Sequence, residues 1–227
     1  VINIITKKNF NTSEVSAYTG SNGTSNASSN LGFVQDGFQV NLNINEFQTK
    51  GINVRTAGND DLDGFDQSSI SFNLSKDFEE FNFDLSFRNE AGRVEFDESV
   101  LQTKPIYADN DYTFLKAGID FDLNSKASVR LEFNKSDFDR LSYGRFGTTA
   151  YYAQVEALKL NSKYTVNQNN IAFIGVETKS ENYNGTYAPS SANSVSEVSY
   201  FVQNEFKANS NTTCLLYTSD AADESVC

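Results

Sequence analysis

Apolar and polar residues alternate along most of this chain, which is the period of strands with one apolar face. Phe38, Val40, Leu42 and Ile44 alternate with Gln39, Asn41, Asn43 and Asn45. Ile70, Phe72 and Leu74 alternate with Ser71, Asn73 and Ser75. The same pattern runs through Phe81–Phe87, Leu115–Leu123 and Ala127–Phe133. Further strands are expected over Tyr151–Tyr164, Ile171–Tyr183 and Val195–Lys207, with two more polar ones over Glu14–Gly20 and Ser25–Val34. Asn22-Gly23 and Asp36-Gly37 are tight-hairpin signals. The chain reads as all-β, with about ten strands.

The connections carry more information than the strands. From the third strand on they alternate between short and long. Gln35–Gly37, Asp77–Glu80, Asp122–Lys126 and Thr165–Asn170 are short. Ile52–Asp66, Glu90–Asp111, Asp137–Thr148 and Asn184–Ser194 are long. A soluble sandwich has no reason to segregate loop length this way. A transmembrane β-barrel does, with short periplasmic turns and long outer loops. The polar faces of Asn, Ser, Asp, Glu, Arg and Lys would then line a wet lumen. Backbone groups in lipid must all be paired, so such strands require closure. Ten strands leave an open edge. The expectation is a partial antiparallel transmembrane β-barrel over residues 14–213, continuing outside this stretch.

The two ends differ from the rest. Val1–Lys8 is an apolar strand closed by two lysines, with no Met or signal sequence before it. It is expected to be the last strand of a preceding domain, with residues 9–13 as a linker. Cys214–Glu224 looks like the translation of a sequencing adapter, so residues 214–227 are expected to stand outside the native fold. Both cysteines lie in that tail, so no disulfide or thiol chemistry is inferred.

Charge and composition narrow the function. The net charge is −12, three of it from Asp220, Asp223 and Glu224 in the tail. That balance argues against nucleic acid, whose phosphates need a basic face. There is no His, Trp or Met. Without His, a dependable Cys or a phosphate-binding glycine loop, triads and nucleotide chemistry lack their parts. The chain is expected to bind rather than catalyse.

Two stretches could do the binding. In Asn59-Asp60-Asp61-Leu62-Asp63-Gly64, oxygen-bearing side chains alternate ahead of a glycine, the spacing of a calcium loop. The helix-flanked version is excluded, because its twelfth position is Ile70 rather than Glu. The plainer reading is a solvated acidic turn. The second stretch is Ser142–Gly147 with Tyr151 and Tyr152. Tyr143, Arg145 and Phe146 could stack on a planar ligand. Alternatively these rings, with Tyr107, Tyr112, Tyr183 and Tyr187, form an interfacial aromatic girdle.

Val1-Ile2-Asn3-Ile4-Ile5-Thr6-Lys7-Lys8 resembles the strand that closes the plug domain of TonB-dependent outer-membrane receptors, and a barrel pattern follows it as in that family. The closest likeness is to the vitamin B12 (cobalamin) receptor branch. Gln35-Asp36-Gly37, Asp61-Leu62-Asp63-Gly64-Phe65, Phe96-Asp97 and Asp137–Gly147 carry it. The resemblance implies the end of a plug over residues 1–8, then the first part of a larger barrel. It implies a monomeric receptor in the outer membrane of a Gram-negative bacterium, in contact with outer-membrane lipid. Such a receptor binds a scarce small molecule, cobalamin or another metal complex, on its outer loops. Import is energised by TonB through a plug that is absent here. The resemblance also makes Asp61, Asp63 and Asp97 ligands of a structural calcium ion. Phe96 departs from the pattern, since the family often has Tyr there, and an oxygen contribution is lost with it. The readings set against this one are a surface β-sandwich adhesin and a passive porin, the latter lacking a plug strand.

Overall fold

The computed structural model describes residues 11–53, 61–97, 106–187, 193–209 and 212–224. Val1–Lys8, read as a plug strand, lies outside the described residues. So do Asn59 and Asp60.

Eleven strands form one antiparallel sheet in strict sequence order. They are β1 Thr12–Thr19, β2 Ser25–Gln35, β3 Phe38–Ile52, β4 Asp63–Asp77, β5 Phe81–Glu95, β6 Tyr107–Asn124, β7 Ala127–Gly144, β8 Gly147–Asn167, β9 Asn170–Gly185, β10 Ser194–Asn209 and β11 Thr212–Glu224. The all-β expectation holds. The sheet is not closed: β1 and β11 are its two edges. The ten expected strands are β1–β10. The eleventh falls on the segment set aside as a tail. Its backbone pairs with β10 from Thr212↔Asn209 to Glu224↔Ser196.

The hairpins follow from turn chemistry. Asn22 and Gly23 have φ of 57° and 64°, and Asp36 and Gly37 have 50° and 76°. Paired left-handed residues give the turn whose twist matches the flanking strands, and Asn-Gly and Asp-Gly tolerate it best. The Asp36-Gly37 turn is further held by Lys76, whose Nζ lies 2.5 Å from the Asp36 carbonyl oxygen and 4.2 Å from the Phe38 ring centre.

One connection differs from expectation. Asp137–Thr148 is not a long loop. β7 runs to Gly144 and β8 starts at Gly147, so only Arg145-Phe146 turn the chain. β7 and β8 are 18 and 21 residues long. At this point a projecting hairpin takes the place of a loop. It emerges at the same end of the sheet as the connections after β3, β5 and β9. The connections after β2, β4, β6 and β8 lie at the other end, the short-turn end.

Register shows how each face is built. On one face, here face A, the row Leu42, Phe72, Phe87, Leu115 runs across β3–β6. A second row, Ile119, Leu131, Leu160, Val176, Tyr200, runs across β6–β10. These rows form an apolar band beside the short-turn end. Face B at the same level is polar. Arg130 there pairs with Asp84 at 2.8 Å, Asp120 at 2.5 Å and Glu132 at 3.1 Å. Lys116 pairs with Glu132 at 2.9 Å, and Lys159 with Glu177 at 3.0 Å.

Further toward the long-loop end the two faces exchange character. Face A turns polar, with Asn89, Asp111, Asp109, Asp137, Asp139, Gln154 and Asn182. Face B turns aromatic, with Phe47, Phe65, Tyr112, Phe114, Phe138, Tyr151 and Tyr183. The strands do not end at the exchange. In β6, for example, Leu115 and Ala117 face one way while Tyr112 and Phe114 face the other.

Burial is slight. Among the described residues the buried apolar ones are Ile106, Ala108 and Ala157. Band residues remain open, as at Ile174 with 60 % exposure and Phe33 with 52 %. Among the described residues no second layer covers face A. Stable folds cover such a face with another sheet, helices or lipid.

Candidate functional site

Both stretches picked out as binding candidates lie at the long-loop end. In the first, Asp61 precedes β4, Asp63 opens β4, and Asp97 follows the last residue of β5 by two positions. The Gly64 N–H donates to Glu95 Oε2 at 3.0 Å, which ties the β4 entry to the end of β5. Asp61 therefore sits among carboxylates. Partial burial, then Asp97, then Asp63, with a further push from Glu95, hold its carboxyl above the ordinary range. Its Oδ1 is shielded from solvent and has no hydrogen-bond partner. A cation would relieve all three conditions. Among the described residues, however, no three carboxylates are near enough to ligate a single ion. Asp61 feels the charge of the other two predicted ligands, but the three do not form a coordination shell. Glu95 belongs with them, and alternation alone hid it as one more polar strand residue.

In the second stretch the structure separates residues that the sequence had grouped. Tyr143 points to face A and packs on Tyr107, ring centres 4.5 Å apart. Arg93 lies over the same Tyr107 ring at 4.0 Å. Its Nε and Nη2 donate to Asp109 Oδ1 and Oδ2 at 2.6 and 3.0 Å. Arg145 and Phe146 form the hairpin tip, the guanidinium 5.5 Å from the ring centre and the phenyl 93 % exposed. Tyr151 points the other way, to face B, where it packs on Tyr183 at 5.1 Å. Tyr143 and Tyr151 thus serve different surfaces.

Two cavities flank this part of the sheet. One, of about 920 Å³, opens mainly on face A and is lined by Asp66, Arg93, Asp109, Asp139, Tyr152 and Asn184 among others. The other, of about 560 Å³, opens on face B between two aromatic pairs. Tyr112 and Phe138 form one wall, with ring centres 5.7 Å apart, backed by Phe114 edge-on to Phe138 at 5.6 Å. Tyr151 and Tyr183 form the other. Arg140 stands between them in the cross-strand row Asn110, Arg140, Tyr151. Phe138 and Arg140 were not singled out in the sequence, because they lie inside the stretch read as a loop. The usable signal was the apolar phase shift from Phe133 to Phe138, an odd step that continues a strand on its other face.

Compared with protein-family models and with curated proteins, the chain matches none.

Proposed function

We propose that this chain is part of the barrel wall of a TonB-dependent outer-membrane receptor. It binds a scarce small molecule, cobalamin or another metal complex, at the long-loop end for energised import into the periplasm. The observation that carries this reading is the uncovered apolar band on face A, set beside the short-turn end and backed by a charged, hydrogen-bonded face B. An outer-membrane strand presents lipid on one side and water on the other, and about 9–11 residues suffice to cross. Strands of 15 to 21 residues from β3 to β9 exceed that length and project beyond the layer on the loop side. A soluble two-sheet adhesin would need a second apolar face against this one, and none is present among the described residues.

In this reading the work is binding and gating rather than bond chemistry. Gating would come from a plug domain on which TonB acts. The Asp61, Asp63 and Asp97 carboxylates, too widely spaced for one coordination shell as they stand, would take a structural calcium ion only by moving closer together. The shielded Oδ1 of Asp61 supports that assignment.

Fractionation of cells expressing the full-length gene product tests the reading. The expected result is recovery in the outer-membrane fraction and detergent-dependent solubility. A product that stays soluble without detergent and never sediments with outer membrane overturns it.

A further inference from the structure

We propose that the face B cavity is a binding site for a ring-bearing organic anion, with Arg140 taking the acidic group and the flanking tyrosines taking the ring system. The proposal rests on the reading of the long-loop end as the ligand-receiving one, and it adds a chemical class and a named anchor.

The chain is strongly acidic, and its strand arginines are met by carboxylates. Arg88 pairs with Glu90, Arg93 with Asp109, and Arg130 with Asp84, Asp120 and Glu132. Arg140 differs. Its described hydrogen bonds go to neutral oxygens, from Nε to Ser142 Oγ at 3.1 Å and from Nη1 to Asn110 Oδ1 at 3.3 Å. These bonds fix the guanidinium without cancelling its charge. The acidic residue lining the same cavity, Glu181, is itself paired with Lys179. The cavity therefore keeps a positive site in a molecule of net negative charge. A guanidinium fork is the group best shaped to take a carboxylate or a similar planar anion.

The walls define the rest of the ligand. Tyr112 and Phe138 on one side, and Tyr151 and Tyr183 on the other, are each braced by ring-on-ring contact. The Tyr112 hydroxyl donates to the same Asn110 Oδ1 at 3.0 Å, so one amide orients both the cation and a wall ring. Rings held this way lose little freedom when a flat ligand enters. A volume of about 560 Å³ admits a ligand of several rings.

Titration of the full chain in detergent micelles with 2-naphthoate and its neutral isostere 2-naphthamide, each corrected against empty micelles, tests the site. The expected result is saturable naphthoate binding at least tenfold tighter than naphthamide binding. Arg140→Gln should bring naphthoate down to the naphthamide level, Arg140→Lys should restore part of the difference, and Tyr151→Ala should weaken both ligands. Equal binding of acid and amide by the unaltered protein overturns the proposal, and so does full naphthoate affinity in a folded Arg140→Gln variant. If that variant does not fold, the acid–amide comparison on the unaltered protein decides alone. A soluble protein that binds naphthoate through Arg140 would end the transport reading and leave the cavity standing. An outer-membrane protein with no acid–amide discrimination would end only the cavity proposal.

Discussion

Arg130 on β7 reaches across the whole of β6 to pair with Asp84 on β5, Nη2 to Oδ1 at 2.8 Å. Gly118 makes the crossing possible. A Cβ there would overlap the guanidinium and lie 2.7 Å from Asp84 Oδ1. Gly118→Val should displace Arg130 and leave charged groups unpaired, at a cost of about 1–3 kcal/mol. In an Asp84→Ala background the same substitution should cost markedly less, since the contact it breaks is already gone. Denaturant unfolding of the four proteins of this cycle measures the difference, and strict additivity would show that the crossing contributes nothing.

Face A and face B should respond oppositely to charge beside the short-turn end. Leu131→Arg places a cation in the apolar band, where a lipid-facing site near mid-layer costs about 2–4 kcal/mol. Ser199→Arg places one on face B opposite Glu177, its cross-strand partner, and should be close to neutral. Unfolding in lipid vesicles reads both. Equal tolerance at the two sites would mean that face A does not meet lipid.

The Asp61 cluster gives a pH dependence with a defined sign. Because the folded carboxyl titrates above its ordinary value, the folded state binds the proton more tightly than the unfolded chain does. Stability contributed by this group therefore falls as pH rises through the interval between the unfolded and folded values. Asp61→Asn should stabilise the protein at neutral pH and do nothing in acid below that interval. Calcium should reverse the penalty in the native protein at neutral pH, and lose its grip as pH drops and protons compete. Melting curves at neutral and acid pH, with and without millimolar calcium, check each limb. An Asp61→Asn substitution that changes stability by the same amount at neutral and at acid pH would remove Asp61 from the cluster.

Arg93 is held by geometry as much as by charge. Its two bonds to Asp109 and its place over Tyr107 both need the planar fork. Arg93→Lys keeps the charge and loses the fork. Amide exchange around Tyr107–Asp109 and Leu141–Tyr143 should speed up about fivefold, the equivalent of ~1 kcal/mol of local stability. Unchanged exchange would show that the stack adds no rigidity.

The strands beside the short-turn end were legible because one rule governed them. Phe38–Ile44 and Phe81–Phe87 put every apolar side chain on a single face, and Asp36-Gly37 announced its own turn. The loop end was less legible because that rule inverts there. From Lys135 to Tyr143 the odd positions carry Lys, Asp, Asp, Leu and Tyr, while Phe138 stands at an even one. Read by period alone, the strand stops at Phe133. Paired with its neighbours it continues to Gly144, with Asp137↔Gln154 and Asp139↔Tyr152 in register. The face B cavity went unseen for the same reason, since its walls come from four strands and its cation from the stretch read as a loop. Asp61, Asp63 and Asp97 were found because spacing and resemblance both marked them. Glu95 was visible only through its bond to the Gly64 backbone.

The exchange of apolar and polar character recurs at one level from β3 to β8, and this makes it a depth gauge. A sheet with one continuous greasy face could ride up or down in a lipid layer at little penalty. Here a shift of two residues toward the short-turn end would carry Asn89, Asp111 and Asp137 into hydrocarbon. A shift the other way would lift Phe81 and Phe121 out of it. If face A meets lipid as proposed, the sheet is pinned along its own strands, and the distance from the lipid to the Arg140 cavity and the Asp61 cluster is set by sequence alone.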